Sequence, residues 1–255
     1  MTKRRRLLIE AALLSLGLLG IQSVDISYRY LVILFLGIAA YFLTAFSLKE
    51  DLKKISFLMN LPLPALYTMG VALFYFLLPE VFLSRLFILI FFGIGMYALL
   101  LIENIFTIAT EKTIQLLRAA RAVGFLMTLV TAFLFYDTLF SFRLPSYINS
   151  LGVFSLSFLL ILPSLWTISL SDRLGRRLID YSLVLSLVMG QLALFISFWP
   201  LSIAAVSLFL VTSLYVILGI SQNFLSGRLF KNTMAEYLRV GIIVFIITFF
   251  LASWG

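Results

Sequence analysis

The residues best suited to chemistry form a short polar track inside an apolar run. In "LLLIENIFTIATEK", Glu103, Thr107 and Glu111 recur at i, i+4 and i+8, with Asn104 beside the first of them. That spacing places the three on one face of a helix. Because a charged group in hydrocarbon is costly, an ionisable residue within a membrane span is a default candidate for a functional site. We therefore predict a ligand-binding site around these four residues.

Two further polar residues interrupt apolar segments and are candidate ligand-binding residues. Asp137 lies in the outer third of the fifth apolar segment, and Gln191 lies near the middle of the seventh. Each also has a structural interpretation, since Asp137 can sit at the membrane interface and Gln191 can hydrogen-bond a neighbouring helix. Glu10, near the start of the chain, can likewise pair with the adjacent arginines.

The chain contains no cysteine and no histidine. Thiolate nucleophiles, Cys/His zinc sites and histidine acid–base chemistry are therefore excluded. No nucleotide-binding motif occurs, and we expect no catalytic residue, no cofactor and no metal site. A lipid-processing enzyme stays open as a minor alternative, because it would need acidic residues that converge from the cytoplasmic links. Those residues are Glu50, Asp51, Asp172 and Asp180.

Composition predicts an all-α integral membrane protein. Hydrophobic residues make up 63% of the 255 residues and charged residues 12%, whereas soluble domains have about 25% charged residues. Apolar runs of about 18 residues or more indicate transmembrane helices, and the sequence predicts nine of them within one polytopic domain, with no soluble domain. The spans are Leu7–Val24, Leu31–Leu48, Leu61–Leu78, Leu86–Ile108, Ala122–Phe142, Ser150–Leu170, Tyr181–Phe198, Leu201–Ser221 and Val240–Trp254.

The distribution of basic residues predicts the orientation of these spans. With the amino terminus in the cytoplasm, only Arg29, Arg85 and Arg143 of the 19 lysines and arginines fall outside, as the positive-inside rule requires. The carboxyl terminus is then outside. The net charge of +8 forms a cytoplasmic collar that suits anionic lipid headgroups, not nucleic acid. We expect a bacterial-type plasma membrane.

The first cytoplasmic link predicts an interfacial helix before the third span. In "LKEDLKKISFLM", Leu48, Leu52, Ile55 and Met59 share one helical face and charged residues occupy the rest, which is typical of a helix lying in the membrane interface. The following "NLPLPAL" then predicts an elbow. Prolines in a first helical turn lose no hydrogen bond, and Asn60 is suited to cap the new helix.

Two stripes of small residues predict close helix packing in the fifth and seventh spans. The Phe- and Leu-rich second and ninth spans are predicted to face lipid. The stripes are Ala120, Gly124, Thr128 and Ala132, and Ser182, Ser186 and Gly190.

Besides the minor enzymatic alternative, two functions remain open from the sequence. The first is a non-enzymatic membrane protein that binds or translocates a small or amphipathic ligand near Glu103. The second is a structural or assembly subunit of a larger membrane protein complex, favoured by the scarcity of polar residues in the spans. A polar cavity that opens to one side and ends at Glu103 would favour the first, and a dry, fully packed interior the second.

Overall fold

The chain is all-helical in the residues that the computed structural model describes, which are 3–21, 24–25, 28–49, 54–77, 82–109, 116–171 and 173–253. Helices α3 and α4 are separated by Leu61 alone. The described helices are α1 (Lys3–Ile21), α2 (Arg29–Leu48), α3 (Lys54–Asn60), α4 (Pro62–Tyr75), α5 (Phe82–Ala109), α6 (Leu117–Ser141), α7 (Ser146–Ser169), α8 (Arg176–Ile196), α9 (Ile203–Leu225) and α10 (Lys231–Leu251).

Eight segments within the described residues are long and apolar enough to cross a membrane. They correspond to eight of the nine predicted spans, and they support the prediction of a polytopic membrane protein. The segment not among them is α1, whose Lys3–Ile21 helix includes a cluster of basic residues and Glu10. The last span was misplaced, because α10 begins at Lys231 and not at Val240. The exposed, charged first turns of α10 continue directly into the apolar part of the same helix.

The described residues form two compact units. The first comprises residues 1–131 and 170–173, and the second comprises residues 132–169 and 174–255. In the first unit α1 packs against α2 and α5, while α4 also packs against both α2 and α5. Tyr67 of α4 stacks on Phe92 of α5, with ring centroids 5.5 Å apart, so the core of this unit is built around α4.

The second unit is organised around a close pairing of α7 and α8. A Cβ atom built on Gly190 would lie 3.1 Å from the Phe154 Cβ and 3.2 Å from the Ser150 carbonyl oxygen. The Ser150 hydroxyl also donates a 2.7 Å hydrogen bond to the Gly190 carbonyl. Helix α9 packs against α7, α8 and α10. The absence of a side chain at Gly190 therefore sets the α7–α8 separation.

The predicted packing stripes are buried in each unit. Gly124 faces Phe106 and Ile102 in the first unit, and Ser182 and Ser186 are fully buried in the second. The prediction that the fifth and seventh spans are closely packed, while the second and ninth face lipid, was correct only in part. The spanning window of α10 is 6% buried, as expected of a lipid-facing helix, but the windows of α8 and α2 are equally buried at 33% each.

A break between two helices occurs at the residues where the sequence predicts the elbow. Helix α4 begins at Pro62, and its N-cap is Leu61 with no side-chain hydrogen bond. The prediction that Asn60 caps this helix is therefore wrong. Asn60 is the last residue of α3, and its side-chain amide donates a hydrogen bond to Thr107 of α5. Helix α3 contains the second half of the predicted amphipathic segment, while Leu52 lies outside the described residues. Its position in the membrane interface stays a prediction.

Candidate functional site

The centre of the predicted site lies on α5 of the first unit. Glu103 is 3% exposed and Thr107 is fully buried. The Thr107 hydroxyl donates a 2.7 Å hydrogen bond to the Glu103 carbonyl oxygen one turn back. Glu103 and Thr107 share a helical face at i and i+4, as the sequence predicts, and that face points into the interior of the unit.

Asn60 joins this site from α3. Its Nδ2 donates a 3.0 Å hydrogen bond to the Thr107 hydroxyl oxygen, and its side chain is 1% exposed. The single hydroxyl proton of Thr107 is given to the Glu103 carbonyl, so Thr107 can only accept from Asn60. That constraint orients the Asn60 amide, with Nδ2 toward Thr107 and Oδ1 directed away from it.

The polar cluster, defined as Asn60, Glu103, Asn104 and Thr107, has unpaired oxygen atoms. The buried Oδ1 atoms of Asn60 and Asn104 have no hydrogen-bond partner among the described residues. A buried acceptor without a partner costs about 1–3 kcal/mol. Both orphaned atoms are acceptors, so the group that would satisfy them is a hydrogen-bond donor or a cation.

A second buried carboxyl lies in the same unit and was not among the predicted site residues. Glu10 of α1 is 3% exposed, and its Oε1 accepts a 2.6 Å hydrogen bond from the Thr44 hydroxyl of α2. Its Oε2 is buried and makes no hydrogen bond of standard geometry within the described residues, although the Ser47 hydroxyl lies close enough to interact with the carboxyl group. The sequence favoured the neighbouring arginines as partners of Glu10. The hydroxyl of Thr44 is separated from it by 34 residues and could not be inferred from local spacing.

The remaining predicted site residues lie elsewhere. Asp137 and Gln191 belong to the second unit. Asp137 is half-buried, and its Oδ1 accepts a 3.2 Å hydrogen bond from the Ser207 hydroxyl of α9. Gln191 is exposed on α8, and its role as a ligand-binding residue stays a prediction. Glu111 lies outside the described residues.

The described residues hold no group of three or more His, Cys, Asp or Glu side chains that could bind a metal ion. Asp180, one of the acids considered for a lipid-processing enzyme, is exposed. The other three, Glu50, Asp51 and Asp172, lie outside the residues that the structure describes.

The polar cluster and all eight candidate spans fall inside a family match. The model of one protein family, DUF5656, matches residues 9–251 and is described as a protein of unknown function. The chain belongs to the DUF5656 family. No curated protein and no solved structure matches it. The DUF5656 match extends over both units, so the family model spans the cluster of the first unit and the helix pairs of the second.

Proposed function

We propose that this DUF5656 protein binds or translocates a small or amphipathic ligand at the polar cluster. The supporting observation is the hydrogen bond between Asn60 and Thr107. It joins the α3–α4 elbow to the helix turn that carries the buried Glu103, while leaving the Asn60 Oδ1 unpaired. A cluster that served packing alone would be expected to satisfy its buried acceptors.

The chemistry of the cluster favours a ligand that donates hydrogen bonds or carries positive charge. A carboxyl group and two amide oxygens are acceptors, and an amine or organic cation supplies what they lack. The neighbouring residues of the same helix are apolar, since Leu99, Leu100 and Phe106, each about one turn from Glu103, are all buried. An amine with an apolar body therefore matches both the polar and the apolar parts of the site.

Access to the cluster requires a conformational change. Asn60, Glu103 and Thr107 are all at most 3% exposed, so a ligand cannot reach them in the conformation described. The elbow at Leu61 adjoins Asn60 and is a break between two helices at which α3 can move relative to α4. In this proposal, opening at the elbow breaks the Asn60–Thr107 hydrogen bond and admits the ligand.

Substitution of Glu103 by glutamine tests this role. Purified protein in liposomes is assayed for uptake of a panel of organic cations, amphipathic amines and neutral amphiphiles. Glu103→Gln is expected to lower uptake of the transported solute at least about tenfold, because a hydrogen bond to a charged group contributes about 1.5–3 kcal/mol and each 1.4 kcal/mol is about tenfold. Thermal unfolding of the same samples shows whether the variant is folded.

Glu236→Gln is the matched control, because it makes the same change at an exposed position of α10. It is expected to transport as the wild type does. Uptake that is unchanged in Glu103→Gln would remove Glu103 from the site. A wild-type protein that neither binds nor moves any member of the panel would count against the ligand-binding function as a whole.

The second candidate function is a structural or assembly subunit of a membrane protein complex. The observation that favours it is α10, of which 6% of the spanning window is buried and whose exposed residues are mostly apolar. Purification in mild detergent distinguishes the two functions. A co-purifying chain that is lost when Ile243 and Ile247 of α10 are replaced by leucine or tryptophan supports the subunit function, and a stable monomer opposes it.

We further propose nine spans with the amino terminus in the cytoplasm, in a bacterial-type plasma membrane. The absence of cysteine makes single-cysteine labelling unambiguous. Ser226→Cys, between α9 and α10, is expected to react with a membrane-impermeant maleimide only after the membrane is opened. Ser202→Cys, just before α9, is expected to react in intact cells. Labelling of both from the same side would overturn the topology.

A further inference from the structure

The second unit contains an apolar cleft at one end of its helices. Its volume is about 210 Å³. The cleft lies beside the last turns of α7 and α9 and the first turns of α8. Its lining includes Leu165, Tyr181, Leu185, Ile220, Phe224 and Leu229.

The mouth of the cleft is exposed and aromatic. Tyr181 is 43% exposed and Phe224 is 57% exposed, and their rings meet edge to face with centroids 6.5 Å apart. Aromatic side chains of this kind are enriched where a membrane protein meets the headgroup region. The cleft is also smaller than the roughly 300–1,000 Å³ of a typical small-molecule pocket. Its size therefore suits a segment of an extended apolar chain.

Two arginines are close in sequence to residues that line the cleft. Arg177 is one helical turn before Tyr181 on α8, which places the two on the same face. Arg228 directly precedes the lining residue Leu229. Its position is set by the turn after α9, where Gly227 adopts a φ of +67°. There the Arg228 N–H donates a 2.9 Å hydrogen bond to the Asn223 carbonyl, as in a Schellman motif.

The charge at this end of the unit is positive. Both Arg177 and Arg228 are exposed, and neither guanidinium has a carboxylate partner within the described part of the chain. The segments 174–185 and 226–239 together hold five basic residues and two acidic ones. An anionic group at the cleft mouth is therefore favoured, and the planar guanidinium suits a phosphate.

We propose that this cleft is a binding site for one anionic phospholipid of the surrounding bilayer. Arg177 and Arg228 bind the phosphate, and part of an acyl chain fills the apolar cleft. An apolar, outward-opening cleft, together with two nearby arginines in the chain that have no carboxylate partner among the described residues, fits an amphipathic anion. The bilayer presents that chemistry at the interface, where each basic residue is attracted to anionic lipid. This site lies in the second unit and does not depend on ligand binding at the polar cluster.

The test compares thermal stability and bound lipid in nanodiscs of phosphatidylglycerol and of phosphatidylcholine. A lipid that binds the folded state raises the unfolding temperature. The wild type is expected to unfold at a higher temperature in phosphatidylglycerol and to retain phosphatidylglycerol when extracted and examined by native mass spectrometry. Arg177→Gln and Arg228→Gln are each expected to lose most of this temperature difference and the retained lipid.

Arg143→Gln is the control, because Arg143 is an exposed arginine of the same unit outside these two segments. It is expected to keep the lipid-dependent difference. An equal loss in Arg143→Gln would indicate diffuse surface charge and overturn the site. Equal unfolding temperatures of the wild type in the two lipids would also overturn it.

Substitutions that fill the cleft test the contribution of the acyl chain to binding separately from that of the headgroup. Leu185→Phe and Ile220→Phe are each expected to reduce retained phosphatidylglycerol, and either one suffices if the other fails to fold. Retention unchanged in the folded variants would exclude the acyl chain from the cleft. Inorganic phosphate added to lipid-free protein in detergent is expected to have no effect. Stabilisation by phosphate equal to that by phosphatidylglycerol would assign a free anion and overturn the lipid.

Discussion

The two units of the molecule differ in how their buried polar groups are paired. In the first unit, Glu10 and Glu103 are buried carboxyl groups, and the Glu10 Oε2 and the Asn60 Oδ1 make no hydrogen bond of standard geometry among the described residues. Buried acceptors without partners are costly in hydrocarbon, because no water is present to complete their hydrogen bonds.

In the second unit, polar groups mostly connect helices in complete pairs. Tyr136 of α6 and Ser157 of α7 lie 2.7 Å apart, and Gln222 of α9 donates a 2.9 Å hydrogen bond to the Ser164 hydroxyl. Among the described residues of this unit, Asn149 is an exception, since its buried Oδ1 has no hydrogen-bond partner there. This contrast supports our proposal of a ligand in the first unit, whereas the paired polar groups of the second unit connect neighbouring helices.

The largest effect is expected from enlarging Gly190, which tests the packing role of the second unit. Gly190→Leu would force α7 and α8 apart, since a Cβ alone meets Phe154 and the Ser150 backbone at 3.1–3.2 Å. We expect a loss of about 3 kcal/mol or more, at the upper end of overpacking costs. Detergent-solubilised protein is compared with wild type by thermal unfolding and by unfolding in SDS.

Gly20→Leu is the matched change, because nothing lies within 4 Å of a Cβ at Gly20 of α1. An exposed substitution of this kind is expected to change stability by less than about 0.5 kcal/mol. Equal destabilisation by both variants would mean that the α7–α8 contact is not a principal source of stability.

An intermediate effect is expected from breaking the link between α3 and α5. Thr107→Val keeps the shape of the side chain but leaves the Asn60 amide without its acceptor. The expected loss is about 1–2 kcal/mol, the lower part of the cost of an unpaired buried group. Thr107→Ser retains the hydroxyl and should be close to wild type. A Thr107→Val protein as stable as Thr107→Ser would show that this bond contributes no stability.

The smallest effect is expected in the coupling free energies of two hydrogen-bonded pairs, one in each unit. These two values compare the units directly. One double-mutant cycle uses Glu10→Gln and Thr44→Val, and the other uses Tyr136→Phe and Ser157→Ala. Interhelical hydrogen bonds in membranes average about 0.6 kcal/mol and reach about 1.7 kcal/mol. We expect the carboxyl–hydroxyl pair of Glu10 to lie toward the upper value, because its acceptor can be ionised.

Equal coupling in both cycles would weaken the contrast between the units. It would mean that the Glu10–Thr44 hydrogen bond, like the Tyr136–Ser157 hydrogen bond, serves helix packing alone. A larger coupling free energy for the Tyr136–Ser157 pair than for the Glu10–Thr44 pair would place the stronger interhelical hydrogen bond in the second unit.

Much of the helix pattern could be predicted from the sequence. Apolar run length is a local property, so the spans that became α2, α5 and α7 have ends within a few residues of those expected. The start of α10 was missed because its first turns are charged, and a charged helix is not distinguished from a link by hydropathy. Pro62 was located correctly, since proline favours the first helical turn.

The candidate site could be predicted only along α5. The spacing of Glu103 and Thr107 is sufficient to place them on one face of a single helix. It carries no information on the helix that covers that face. Asn60 was assigned to a cap because capping is the common local role of asparagine before a helix, whereas its buried amide is bonded to another helix.

The sequence by itself determined that this is a helical membrane protein, which polar residues lie within apolar segments, and where α4 begins. These properties depend on composition and on neighbours within a few residues. Only the tertiary structure decided that Asn60 meets Thr107, 47 residues away, and that Glu10 meets Thr44. The physical reason is that interhelical hydrogen bonds depend on which helix faces pack together, and this is the result of the whole set of contacts in each unit.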